Sequence, residues 1–197
     1  FDKAGNASVV YSKAILLDTA VPTGSIDINT GAVYATARAV TLNLSAADGG
    51  SGINKMSFSN DNVTWTAAEA YAVSKTFTLP TGDGNKTVYV KYYDEAGNVS
   101  AVYSKSIILD TLAPTGTVTV NNGALFINQT AMTLNLSATD AGLGLDKMSF
   151  SSNNVSWTAE EAYAATKAWT FAPGDGSKKI YVKFIDKAGR WSSAVSV

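Results

Sequence analysis

The sequence predicts an all-β chain made of tandem β-sandwiches, with about seven strands in each module. Three observations carry that prediction. The chain repeats itself at a fixed offset, apolar residues recur at every second position, and Gly/Asn/Asp clusters separate those runs.

The repeat comes first because it organises the rest. Asp2, Asp94 and Asp186 stand 92 residues apart, each inside an Asp-x-Ala-Gly turn (Lys3-Ala4-Gly5, Glu95-Ala96-Gly97, Lys187-Ala188-Gly189). The same offset of 92 carries Trp65 onto Trp157, Tyr71 onto Tyr163, and Gly82-Asp83-Gly84 onto Gly174-Asp175-Gly176. The junction Leu17-Asp18-Thr19-Ala20-Val21-Pro22 recurs as Leu109-Asp110-Thr111-Leu112-Ala113-Pro114. Proline fixes its own φ, pushes its predecessor into extended geometry and cannot donate to a ladder, so it suits a stiff linker or an edge-strand entry. Boundaries at the junction give three parts. Residues 1–17 are the C-terminal strand of a preceding repeat, 18–109 a complete repeat, and 110–197 a repeat lacking its last strand. Two readings of these ends are open: a window on a longer repetitive protein, or donation of the front strand to the rear module of another copy.

Within a repeat the period is two. Val40, Leu42, Leu44 and Ala46 alternate with Thr41, Asn43 and Ser45, and Met132, Leu134, Leu136 and Ala138 repeat the pattern. Met56 and Phe58 alternate with Lys55, Ser57 and Ser59; Val88, Val90 and Tyr92 alternate with Tyr89, Lys91 and Tyr93. Ile180, Val182 and Phe184 form the matching inward set in the second copy. One-sided alternation is the pattern of antiparallel sheets with one solvated face. Strands are expected near 25–30, 39–47, 54–60, 63–66, 73–79, 86–94 and 100–109, with a single helical turn at Ala67-Ala68-Glu69-Ala70.

The Asp-Thr-x-x-Pro junction, Asp140-Ala141-Gly142-Leu143-Gly144, Gly174-Asp175-Gly176 and Asp94-x-Ala96-Gly97-Asn98 together resemble the bacterial Ig-like domain. The resemblance implies immunoglobulin-like or fibronectin-III-like sandwiches strung in tandem on a bacterial surface or secreted protein, and a non-catalytic role.

Composition narrows the chemistry independently. There is no His and no Cys, which removes imidazole and thiolate nucleophiles, the Ser-His-Asp triad and the usual zinc ligands. A net charge of −1 supplies no field for nucleic acid or an anionic membrane, and no apolar run reaches the ~20 residues of a spanning helix. Glu160-Glu161 recurs only in part, as Ala68-Glu69, and no cleft pairs two carboxylates, so no catalytic residue is assigned. Asp48-Gly49-Gly50-Ser51-Gly52 and Gly82-Asp83-Gly84-Asn85 precede strands rather than helices, which makes them turns and not phosphate loops.

One site hypothesis has physical support. In a seven-strand sandwich, loops sort alternately to the two ends. That brings Asp140 and Asp186 to the end where linker residue Asp110 enters, with Asp83 of the preceding repeat able to face them. Asp18, Asp48 and Asp94 form the corresponding set at the first junction. Carboxylates converging with backbone carbonyls suit calcium, which takes oxygen ligands. The competing reading is that each Asp closes an Asx-turn on its own backbone.

Aromatic residues raise glycan binding as an alternative. Trp65 and Trp157 share parity with Val63 and Val155 and are read as core, as is Trp169, which replaces Phe77. Trp191 is the one aromatic expected to be exposed, whereas Tyr89, Tyr93 and Tyr181 face outward by parity. The expected function is a semi-rigid extracellular array, a stalk or fibre, whose partners are neighbouring modules and copies of itself. The alternatives are an adhesive module for a glycan or host surface and a spacer appended to a secreted enzyme.

Overall fold

The computed structural model describes residues 1 and 3–197. Strands of the first copy are β1 (Thr23–Ile28), β2 (Tyr34–Ala35), β3 (Ala39–Ala47), β4 (Ile53–Ser59), β5 (Glu69–Ala70), β6 (Ser74–Thr78), β7 (Gly84–Asp94) and β8 (Tyr103–Leu109). The second copy repeats them as β9 (Thr115–Val120), β10 (Ala131–Thr139), β11 (Leu145–Ser151), β12 (Glu161–Ala162), β13 (Thr166–Thr170), β14 (Tyr181–Asp186) and β15 (Val195–Ser196). Each copy has two sheets, ordered β1-β3-β6 and β2-β8-β7-β4-β5 in the first, and β9-β10-β13 and β12-β11-β14-β15 in the second. The long strands pair antiparallel in the same register in both copies: Met56 opposite Tyr92 and Phe58 opposite Val90, then Met148 opposite Phe184 and Phe150 opposite Val182.

The alternation of the sequence is the alternation of the core. In the first copy Val40, Leu42, Leu44, Met56, Phe58, Val88, Val90 and Tyr92 are each buried. In the second copy Val118 and Val120, Met132, Leu134 and Leu136, Met148 and Phe150, and Ile180, Val182 and Phe184 form one cluster drawn from both sheets. Burying a side chain of this size stabilises by ~1.5–3 kcal/mol, so a core of this size holds a sandwich without a disulfide.

Gly24 and Gly116 show why β1 and β9 begin as they do. A Cβ at Gly24 would strike the Tyr92 ring, and one at Gly116 the Phe184 ring. Tyr92 also stands edge-on to Tyr71, centroids 5.9 Å apart, and its hydroxyl donates to the Ser25 carbonyl at 2.6 Å. Burial raises the Tyr92 pKa above its ordinary value.

Several sequence expectations give way. Residues 63–66 form a turn rather than a strand, because side chains there satisfy the backbone locally. Asp61 Oδ1 accepts the N–H groups of Val63 (2.8 Å) and Thr64 (2.7 Å), while Ser59 Oγ accepts those of Asp61 and Asn62. The helical turn at 67–70 is replaced by β5, whose Ala70 and Glu69 pair with Lys55 and Met56. The alternate face of β4 is not wet: Ser57 and Ser59 are buried at 1% and 3% exposure, with Ser57 Oγ 3.0 Å from the Tyr93 hydroxyl and Ser59 Oγ donating to Asp61 Oδ1 at 2.8 Å. Strand β2 was not expected; it runs parallel to β8, with Tyr34 opposite Ile108 and Ala35 opposite Leu109. Residues 9–17 contain no assigned strand, and Val10 and Ile15 are exposed.

The chain falls into two compact units, one of Phe1–Asp27, Asn43–Lys75 and Val88–Lys105, the other of Ile28–Leu42, Thr76–Thr87 and Ser106–Val197. The division cuts through the first repeat instead of following the linker. Inside the second unit, loops from the first repeat bond to the second repeat: Asp83 accepts from the Thr111 N–H (3.0 Å) and hydroxyl (2.9 Å), and Arg190 Nη1 donates to the Thr36 carbonyl (3.0 Å).

Candidate metal site

Six of the seven singled-out aspartates gather into two triads. Asp18, Asp48 and Asp94 form the first, and Asp110, Asp140 and Asp186 the second. Within each triad, one carboxylate oxygen per residue lies within 4.8 Å of the others. Oxygens on a shell of radius ~2.4 Å around a calcium ion stand at most about twice that distance apart, so the spacing suits a common cation. The seventh residue, Asp83, joins neither triad; Thr111 takes up both its oxygens.

Each carboxylate is positioned by backbone donors. Asp140 Oδ2 accepts the N–H groups of Gly142 (2.9 Å) and Gly144 (2.8 Å), closing the loop after β10. Asp48 Oδ2 does the same with Gly50 and Gly52. Asp186, at the end of β14, accepts the Arg190 N–H at 2.9 Å, and Asp94 accepts that of Asn98 at 2.8 Å. The latter turns need a left-handed residue before the donor, supplied by Gly97 (φ 91°) and Gly189 (φ 81°). The linker aspartates reach into the loops: Asp110 Oδ2 accepts from Leu143 N–H at 2.8 Å, and Asp18 accepts from Ser51 N–H. The Asx-turn reading and the clustering reading are therefore both realised, on different oxygens of the same residues.

The oxygens left over matter most. Asp110 and Asp186 are fully buried, and Asp110 Oδ1, Asp140 Oδ1 and Asp186 Oδ2 have no hydrogen-bond partner. A buried carboxylate oxygen without a donor is costly, and three acidic groups at this spacing repel one another. Burial, then the nearby charges of Asp110 and Asp140, push the Asp186 pKa above its ordinary value. A divalent cation would supply the missing partner to all three. The residues fit such an ion by chemistry and by spacing.

Sequence reasoning passed over the residues that make room for this arrangement. A Cβ on Gly142 would collide with the Asp110 carboxylate, and one on Gly50 with that of Asp18. The recurrence of glycine at both positions was the available signal, read only as turn chemistry.

The other candidates lie elsewhere. Trp65 and Trp157 do not fill the core: each is half-buried beneath a lysine, with Lys91 Nζ 4.1 Å from the Trp65 ring centroid and Lys183 Nζ 4.4 Å from that of Trp157. Their supposed core neighbours Val63 and Val155 are exposed. Parity failed here because 63–66 is not a strand. Trp169 does pack on the core, 5.7 Å from the Phe150 ring. Trp191 is exposed, but so are Tyr34 and Phe126. Glu160 and Glu161 are bound to Lys147 and Lys167. Among the described residues no helix is long and apolar enough to cross a membrane.

Paired sheets, seven or eight short strands per repeat and end loops carrying the polar groups define an immunoglobulin-like or fibronectin-III-like β-sandwich protein. Residues 26–111 match the model of the bacterial Ig-like domain. Among solved structures the chain is similar to the fibronectin(III)-like modules of CbhA from Clostridium thermocellum (12% identity, 87% of this chain and 92% of that one, TM-score 0.51). It is also similar to a chain solved in work on host cell surface retention of a 1.5-MDa bacterial ice-binding adhesin (17% identity, 94% of this chain and 64% of that solved chain, TM-score 0.51). At these identities the likeness is one of fold. No curated protein matches the chain. Domains of this kind are typically non-catalytic.

Proposed function

We propose that this chain is part of an extracellular repeat array on a bacterial surface or secreted protein, and that its linker aspartates hold calcium at the module junctions. The observation that carries the reading is the second triad. Three carboxylates converge, two of them fully buried, each with one oxygen that no protein donor satisfies. The match of residues 26–111 to the bacterial Ig-like model and the 92-residue repeat support the array.

The chemistry follows from the placement. Asp110 belongs to the linker, Asp140 to the loop after β10, and Asp186 to the end of β14. A cation bound by all three ties the linker to two loops of the module that follows it. Asp83 and Thr111 fix the same linker from the preceding repeat. Occupied, the junction loses freedom; stripped, three like charges push it apart. The array's partners are its own neighbouring modules.

Titration of the chain with calcium chloride after metal removal, followed by calorimetry, tests this. The expected result is saturable binding and a rise in unfolding temperature that chelator reverses. A ligand at one hundred times its Kd adds about 2.7 kcal/mol to the state that binds it. An unchanged unfolding profile with no binding heat defeats the reading.

A further inference from the structure

The two triads differ at one position of the repeat. In the first, the Asn98 side-chain amide donates to Asp94 Oδ2 (2.8 Å) and to the backbone carbonyl of Asp18 (3.1 Å). The Asn98 backbone N–H holds the other oxygen, Asp94 Oδ1, at 2.8 Å. Both Asp94 oxygens are thus occupied by donors. In the second triad the Arg190 N–H holds Asp186 Oδ1 at 2.9 Å in the same way, but its side chain goes elsewhere, with Nη1 donating to the Thr36 carbonyl at 3.0 Å. Asp186 Oδ2 keeps no donor, and neither do Asp110 Oδ1 and Asp140 Oδ1. In the first triad only Asp48 Oδ1 is both buried and without a partner.

Resting on the cation reading above, we propose that the residue at position 98 or 190 sets the divalent affinity of its junction, and that Arg190 makes the second triad the stronger calcium site. An amide hydrogen on a carboxylate oxygen takes one of its two lone pairs and draws on the charge a cation would share. A cation on Asp94 Oδ2 competes with that charge-assisted bond, and moving the amide away would also disturb its contact with the Asp18 carbonyl. Asp186 gives up nothing. The positive charge of Arg190 works against a cation, and its contact with Thr36 draws the guanidinium to that carbonyl. Replacing arginine by asparagine therefore removes a charge and adds a competing donor, two effects of opposite sign that suitable variants separate.

Isothermal titration of the whole 197-residue chain with calcium chloride reads the difference directly. The expected isotherm has two classes of site at least tenfold apart in Kd. Asp140→Asn should abolish the tight class and Asp48→Asn the weak one. Arg190→Asn should weaken the tight class about tenfold, whereas Arg190→Met, which removes the charge without adding an amide, should leave it as tight or tighter. Asn98→Met provides the converse, tightening the weak class without touching the second triad. Two equal classes, loss of the weak class in Asp140→Asn, or an Arg190→Asn chain that binds as tightly as the wild type would overturn the proposal while leaving calcium binding intact. Absence of any binding by the wild type would overturn both.

Discussion

The carboxylate of Asp110 occupies the space that a Cβ on Gly142 would need. That relationship joins a linker residue to a loop residue 32 positions away in sequence order and explains a glycine that turn chemistry alone does not demand. Gly142 has no positive φ to require it, whereas its neighbour Gly144 has φ 85° and open space around its missing Cβ. Two glycines in one loop are thus present for different reasons.

Gly142→Ala should displace Asp110, costing about 1–3 kcal/mol of stability as an overpacked site does. It should also abolish calcium binding at the second triad. Gly144→Ala should cost ~1 kcal/mol or more through backbone strain, yet leave the carboxylates together. Urea unfolding and calcium titration of the two variants compare these outcomes, and equal effects on binding would contradict the steric argument.

Asp186 sets a pH dependence of unusual sign for an acid. Its folded pKa is raised above the ordinary 3.8 by burial and by Asp110 and Asp140. Between 3.8 and the raised value, the cation-free folded chain holds a proton that the unfolded chain has released. Stability from this group is therefore full below 3.8 and declines as pH rises through the folded pKa. In metal-free buffer, Asp186→Asn should remove that decline and be at least as stable as the wild type near neutral pH. With calcium the order should reverse. Denaturant unfolding at acidic and neutral pH, with and without calcium, measures both.

The first and second copies should respond differently to acid at one turn. Backbone N–H donors, first that of Val63 and then that of Thr64, hold the Asp61 pKa down to about 2. Stability from Asp61 is present above 3.8 and is lost as pH falls toward about 2. In the second copy Asn153 Oδ1 accepts from Val155 and Ser156, both at 2.9 Å, and has no proton to gain. Amide shifts of Val63 and Thr64 should titrate near pH 2 while those of Val155 and Ser156 stay flat. Asp61→Asn should make the two turns alike.

Lys91 over Trp65, on the outer face of the β4–β7 pair, should contribute about 0.5–1 kcal/mol. Lys91→Gln should lose that much and make Trp65 easier to quench with acrylamide. If Trp65 were core, the substitution would leave quenching unchanged.

Much of the fold was legible because the same physical constraint was written twice. Inward positions such as Leu42 and Leu134, or Val90 and Val182, must be apolar in both copies, and the 92-residue offset made the pattern unmistakable. Six carboxylates were placed by loop topology alone, since a sandwich has only two ends. The failures lie where side chains override the ladder. Ser59 and Asp61 capture backbone donors that a strand would have paired, which turns residues 63–66 away and reverses the reading of Trp65. Asp83 went astray for a related reason: a threonine of the linker could satisfy it more directly than a cation. The roles of Asn98 and Arg190 were hidden, because side-chain reach depends on where neighbouring carbonyls fall in space.

The Tyr92 hydroxyl bonded to Ser25 has a mechanical consequence. Its counterpart in the second copy is Phe184, which fills the same space beside Gly116 but has no hydroxyl to offer β9. When an array is pulled from its ends, load enters each module through the strand after the linker, β1 or β9. In the first copy that strand is latched to the opposite sheet by a buried tyrosine; in the second the ring at the same position carries no hydroxyl to latch it. Under tension the second module should yield first, which would let a chain of near-identical repeats lengthen one unit at a time instead of snapping open together.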